Sequence, residues 1–407
     1  MNVASLSWRY LWSRPLATTL NLLLLALGLA SMAFVLIARD QIDRAFERDL
    51  AGIDVVVGAK GSPMQLILAG VFHIDVPPGN IPLAEVQRLA QHPQVAKLIP
   101  LSLGDNLQGF RIVGTTADYA AHYGAQLAQG ALWSTPMQAV LGAQVASRTG
   151  LRPGQAFEGA HGLGAGGAIH GETPYTVSGV LAPCGCVLDR LVLTAAESVW
   201  QVHDDMHAGD QMDEAERLEL AEALADEREV TLALITYNTP MAAVSFPRFI
   251  NSTTSMQAAA PALEITRLLS MVGVGTQVLR GLGGVLLGVA ALSVFIALWS
   301  AVRERRGDLA MLRMLGAPAT RVALLLLCEA LWLAALACAI GLLAAHSLAA
   351  LLGSLLMDSQ SLAINGWQWV AGEAWVPALA FGVAVAAALV PVVSAYRVDV
   401  SQLLNSR

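Results

Sequence analysis

The chain has 407 residues, of which 55% are hydrophobic and 14% are charged, with a mean hydropathy of +0.57. Soluble domains carry roughly 25% charged residues, so a water-soluble globular protein is excluded as the first reading and a membrane protein takes its place. A net charge of -7 and only two lysines, Lys60 and Lys97, argue against nucleic acid as the main partner.

A bilayer span needs about 20 apolar residues, and the first candidate runs from Leu16 to Ala38, bounded by Arg14 and Arg39. A cleaved signal peptide is the rival reading, but the 23-residue run exceeds the 7 to 15 residues usual for a signal core. Trp8 and Trp12 precede it on the inner side, where indole rings favour the headgroup region and act as interfacial anchors.

A long polar and mixed segment follows, from Arg39 to Gln277, with 25 acids against 14 bases. "DVVVGA", "QVAKLIPLSL", "LQGFRIVGTT", "YTVSGVLA", "DRLVLT" and "VTLALITYN" predict strands from their β-branched content and flanking turn residues. "IPLAEVQRLAQH" predicts a helix that starts at Pro82, with Leu83, Val86, Leu89 and Ala90 on one face. "PRFINSTTSMQ" predicts a further helix, and the segment as a whole reads as a folded α/β domain. The stretch "GAHGLGAGGAIHGE" reads as a loop, and the nine acids between Asp210 and Glu229 read as the solvated face of an amphipathic helix or as a partner site.

Cys184 and Cys186, in "APCGCVLDR", leave two readings open: a disulfide, or a soft-metal site for zinc or copper(I) completed by histidines such as His203 and His207. Those two histidines stand four apart and share a face if "HDDMH" is helical.

Three further spans are expected at Gly281 to Val302, Val322 to Ala345 and Val376 to Tyr396. The fold class is therefore an α-helical membrane protein with four transmembrane helices and a large mixed α/β domain between the first and second. Its parts are 1–38, an amphipathic segment and first span; 39–277, the inserted domain; and 278–407, three spans with a charged segment at 303–321. Arginines crowd the segments before the first span, between the second and third, and after the fourth, whereas His346 to Trp375 has neither Lys nor Arg. By the positive-inside rule both termini are cytoplasmic and the inserted domain is extracytoplasmic. Gly284 and Gly288 have the small-x-x-x-small spacing that permits close helix packing, against the plain alternative of lipid-facing glycine. Glu329, in the third span, either snorkels to the inner interface or pairs with an arginine of the charged segment.

Neither lysine sits in a Walker A context, and the zinc-protease His-Glu-x-x-His and hydrolase Gly-x-Ser-x-Gly patterns are missing from the sequence, so no enzymatic role is expected. The charged segment "RERRGDLAMLRMLGAPATRVALLLLCEAL" resembles the FtsX-like permease domains of the MacB and LolC/LolE group of ABC transporters, at Arg305, Arg306, Asp308, Leu312, Arg313, Leu315, Gly316, Ala317 and Glu329. "WRYLWSRPLATTLNLLLLALGLA" is similar to that family's leading helix and first span, and "PVVSAYRVDVSQLL" resembles its closing pattern.

The resemblance implies a MacB-like periplasmic core domain, with an inserted lobe at about Thr115 to Arg228, in a bacterial inner-membrane protein. It implies a cytosolic ABC ATPase partner that holds ATP and magnesium and grips a coupling helix at Arg305 to Leu315. It also implies a homodimer or a pairing with a related permease, possible contact with a periplasmic protein, and no cofactor on this chain. Export or envelope handling of lipid, lipoprotein or small molecules is the leading function. An FtsX-type regulator of an envelope protein and a metal-responsive transporter or receptor are the alternatives.

Overall fold

The computed structural model describes residues 3–162, 173–208, 228–304, 311, 314, 316–358 and 365–396. In chain order, α1 (Val3–Leu11) and α2 (Pro15–Leu50) lead to β1 (Val55–Ala59), α3 (Pro63–Gly70), β2 (Ile81–Pro82), α4 (Leu83–Ala90), β3 (Val95–Leu107) and β4 (Phe110–Thr115). There follow α5 (Ala117–His122), β5 (Leu127–Gly130), β6 (Gln138–Leu141), α6 (Ala143–Thr149), β7 (Ala156–Phe157), β8 (Ala160–His161), β9 (Tyr175–Leu181), β10 (Val192–Ala195) and α7 (Ala196–Ala208). The remainder is β11 (Glu229–Val230), β12 (Leu232–Tyr237), α8 (Ala242–Thr253), β13 (Met256–Ala259), α9 (Pro261–Glu304), α10 (Ala319–Asp358) and α11 (Trp375–Tyr396). Two compact units result, one made of residues 1–43, 271–358 and 362–407, the other of 44–270 with 359–361.

Among the described residues, four helices are long and apolar enough to cross a membrane: Pro15–Leu50, Arg280–Glu304, Ala319–Leu355 and Ala371–Tyr396. Their packing is the reverse of a soluble bundle. Alanines at 330, 334, 337, 345 and 349 on α10, and at 380, 384 and 388 on α11, form the buried seam with Leu25, Leu29, Ala33 and Ile37 of α2. Large side chains such as Leu20, Leu23, Leu27, Val285, Val289, Leu292 and Ile296 point outward. Small residues inside let helices approach closely, and leucines outside match acyl chains, so the pattern fits a bilayer as solvent.

The second unit is the mixed α/β domain expected between the first two spans. Its main sheet has eleven strands, in the order β13-β1-β12-β3-β4-β10-β6-β9-β5, with β7 on β9 and β8 on β3. Most pairs are antiparallel, while β10 with β4 and β6 with β9 are parallel. Alternation along β1 and β12 sends Val56, Leu232 and Leu234 to one face with Leu66 and Ile67 of α3. Val55, Val57, Ala233 and Ile235 go to the other, against Val86 and Leu89 of α4 and Phe246 and Ile250 of α8. Both faces are covered, which is why these strands read as unbroken apolar runs.

The thirteen-residue β3 joins two halves of the sheet: its first part pairs with β12 and its later part with β4, with a register shift between Leu103 and Asn106. The strands between β4 and β11 build the second half around their own core of Leu141, Val177, Val192 and Tyr175. Two details differ from the sequence reading. "PRFINSTTSMQ" is not one helix, because α8 starts earlier, at Ala242, and Met256 and Gln257 belong to β13 on the edge beside β1. "DRLVLT" opens in a short 3-10 turn, Val187–Arg190, before β10 begins. The acidic stretch 209–227 and most of the glycine-rich stretch lie outside the described residues.

Candidate functional site

The charged segment lies between α9 and α10. Arg305, Arg306, Asp308, Leu312, Arg313 and Leu315 lie outside the described residues. Gly316 is described, with φ +92, and no atom stands within 4 Å of a Cβ built there. Its backbone, not crowding, therefore calls for glycine. Met311 and Met314 are helical, three apart, and each 56% exposed.

The roots of the segment are packed. Val302 at the end of α9, Val322 and Leu326 near the start of α10, and Ala395 near the end of α11 form one buried cluster. Arg14 pairs with Glu304, tying the start of α2 to the end of α9. Asn21 and Ser293 are hydrogen-bonded one turn or more deeper, and Thr18 Oγ1 donates to the Leu11 carbonyl at 2.5 Å. These groups line a pocket of about 380 Å³ together with Tyr10, Ser300 and Glu329. Glu329 is buried, at 5% exposure, and lines the same pocket as Arg14 and Glu304.

Gly284 and Gly288 have no atom within 4 Å of a built Cβ, so no described helix of this chain packs against them. Close approach inside the chain occurs instead at Gly283, where the added atom would lie 3.1 Å from Met32, and at Gly341, where it would lie 2.9 Å from the Ala26 carbonyl.

At the other end of the same unit, the His346 ring bridges two partners. Nε2 is 2.9 Å from Glu373 Oε2 and Nδ1 is 2.6 Å from the Gly366 carbonyl. Glu373 is fully buried, its Oε1 accepts from the Val370 amide at 3.0 Å, and Trp367 and Trp369 stack on the imidazole. Sequence reasoning missed this pair. A lone glutamate in the otherwise apolar run before the fourth span was the available signal.

In the α/β unit, Cys184 and Cys186 form a disulfide. Of the two readings left open by the sequence, that is the one the fold holds. His203 and His207 fall on α7, with side chains outside the described residues, and among the described residues no group of three or more His, Cys, Asp or Glu is gathered to hold a metal ion. The same region contains a buried charge that the sequence did not flag. Asp49 accepts from the Val187 amide at 3.0 Å, and burial lifts its carboxyl to about pKa 6 even though Arg190 and that amide pull the other way.

Residues 281–400 match the family described as FtsX-like permease C-terminal, and residues 18–243 match the MacB-like periplasmic core domain. Among solved structures, the periplasmic region of MacB from Actinobacillus actinomycetemcomitans is similar at 11% identity and TM-score 0.33, over 54% of this chain and 95% of that one. The extracellular domain of the noncanonic ABC-type transporter YknZ from Gram-positive bacteria is similar at 10% identity and TM-score 0.30, over 50% and 98%. No curated protein matches the sequence.

Proposed function

The chain belongs to the family of ABC-transporter permeases that join a MacB-like periplasmic core domain to an FtsX-like C-terminal part, and on that footing we propose that it transmits ATPase-driven motion across the inner membrane to its periplasmic domain. Permeases of this kind work with ABC ATPase partners and are normally non-catalytic themselves. In this reading residues 305–315 are the segment that the ATPase grips, both termini are cytoplasmic, and residues 44–270 lie in the periplasm. The cargo is a lipid, lipoprotein or small molecule of the envelope, and the working unit is a dimer of this chain or of this chain with a related permease.

One observation supports the coupling role above the others. The two roots of the charged segment and the last span meet in the cluster of Val302, Val322, Leu326 and Ala395, while Met311 and Met314 between those roots expose apolar surface. A push on the segment is thereby delivered to three spans at once, since close-packed side chains transmit displacement instead of absorbing it. Buried apolar anchors carry more binding energy than rim charges, so Leu312 and Leu315 are the residues to truncate. Leu312→Ala with Leu315→Ala, compared with wild type at equal membrane expression, should lower the yield of copurified ATPase and its stimulated hydrolysis. Unchanged yield and hydrolysis would remove the coupling assignment.

A further inference from the structure

The loop Pro183–Val187 is fastened to two consecutive residues at the end of α2. The Gly185 carbonyl accepts from Arg48 Nη1, and the Val187 amide donates to Asp49 Oδ1 at 3.0 Å. The disulfide brackets this pair of contacts, with Cys184 on one side of Gly185 and Cys186 on the other. Glycine is required between them by its backbone, with φ at +63. From the other side, Asp189 holds the loop by accepting from the Cys184 and Gly185 amides at 3.0 and 2.7 Å.

A disulfide between residues two apart closes almost no loop. The entropy it removes from the unfolded chain grows with loop length, so a global staple is the weakest use of this bond. Its local effect is larger, because it fixes the backbone that presents one carbonyl and one amide to Arg48 and Asp49. The two cysteines also differ in exposure: Cys186 is buried and Cys184 is half-buried. Asp189 Oδ1 stands 3.4 Å from Cys184 Sγ, in place to accept a proton-bearing thiol there.

We infer that Cys184–Cys186 is a thiol–disulfide exchange site, whose redox state sets how firmly Arg48 and Asp49 of α2 are held by the Pro183–Val187 loop. The co-reactant is a dithiol. One of its thiolates attacks the sulfur of Cys184, the more exposed of the two residues, the Cys184–Cys186 bond breaks, and Cys186 leaves as a thiolate that takes up a proton. The second thiol of the reagent then attacks its own sulfur in the mixed disulfide, releasing Cys184, which is protonated and donates to Asp189. Two electrons pass to the protein, and the reagent leaves as a disulfide. The opened loop loses the geometry that Arg48 and Asp49 recognise, and the last turns of α2 loosen.

The test uses the full chain in lipid nanodiscs, with dithiothreitol as the dithiol and hydrogen exchange read by peptide mass. Reduction of the native protein is expected to raise exchange at 183–190 and at 44–50 by about tenfold or more, and oxidised dithiothreitol should reverse it. Cys184→Ser with Cys186→Ser should show the fast pattern without reductant and no response to it. A disulfide that resists dithiothreitol until the chain is unfolded would overturn the inference, as would reduction that leaves exchange at 44–50 unchanged. The wild-type titration stands alone if the double variant folds poorly, and no ATPase enters the assay, so its outcome is separate from that of the coupling role.

Discussion

His346 Nε2 and Glu373 Oε2 lie 2.9 Å apart, joining α10 to the turn that opens the fourth span around a carboxylate with no exposed surface. Removing one partner of a buried hydrogen-bonded pair strands the other, at a cost of roughly 1–3 kcal/mol and more for an ionised group. His346→Ala should therefore lower the thermal stability of the membrane unit in detergent by about that amount. Adding Glu373→Gln should restore part of the loss, giving a coupling energy of about 1 kcal/mol or more in a double-mutant cycle. Strict additivity would show that the contact does not operate in the folded chain.

Asp49 gives a pH prediction with a definite sign. Its carboxyl is raised from 3.8 to about 6 in the folded chain, mainly by burial. Between those values the folded state binds more protons than the unfolded one, so stability falls as pH rises from about 4 to about 6 and levels off above. The full effect of that rise is on the order of 3 kcal/mol. Asp49→Asn cannot titrate, so its stability relative to wild type should increase from pH 4 to pH 7 by up to that amount, whatever its offset at either end. Equilibrium unfolding of both proteins across that range, followed by exchange at 183–190, measures it, and a pH-independent difference would refute the burial account.

The glycines of the spans divide into two sets with opposite expectations. Gly341→Leu forces a side chain onto the Ala26 carbonyl, and overpacking of this kind costs about 1–3 kcal/mol or prevents the native packing. Gly284→Leu and Gly288→Leu meet open space within the chain and should leave its folding intact. Their effect should instead fall on self-association, because no described atom of the chain stands against Gly284 or Gly288, which leaves both open to a second copy. Cross-linking or single-particle mass in nanodiscs reads this, and a Gly284→Leu, Gly288→Leu chain that folds and associates like wild type would remove these glycines from any dimer contact.

The legibility of the sequence followed how local each signal was. The spans and the domain between them could be read because runs such as Leu16 to Ala38 announce their solvent residue by residue. β1 and β12 were visible as apolar runs for a related reason, burial on both faces. Pairings across distance left no such trace. Arg14 and Glu304 are far apart in sequence, as are Asp49 and Val187, and nothing in their own neighbourhoods says that they meet. The choice between disulfide and metal at Cys184 and Cys186 is likewise open in the sequence, and it is the fold that pairs the two sulfurs and brings Arg48 of α2 to that loop. The inserted lobe after Thr115 came from family resemblance and not from periodicity, because its short strands β5 to β8 carry two to four residues each.

The central claim is that work done on residues 305–315 in the cytoplasm reaches residues 44–270. It is tested most directly by reconstituting the chain with its ATPase in nanodiscs and comparing hydrogen exchange of 44–270 without nucleotide and after trapping with ATP and vanadate. Trapping should change exchange in that unit for wild type and leave it unchanged for Leu312→Ala with Leu315→Ala. Identical exchange in 44–270 with and without trapped nucleotide, in a wild-type complex that hydrolyses ATP, would contradict the account.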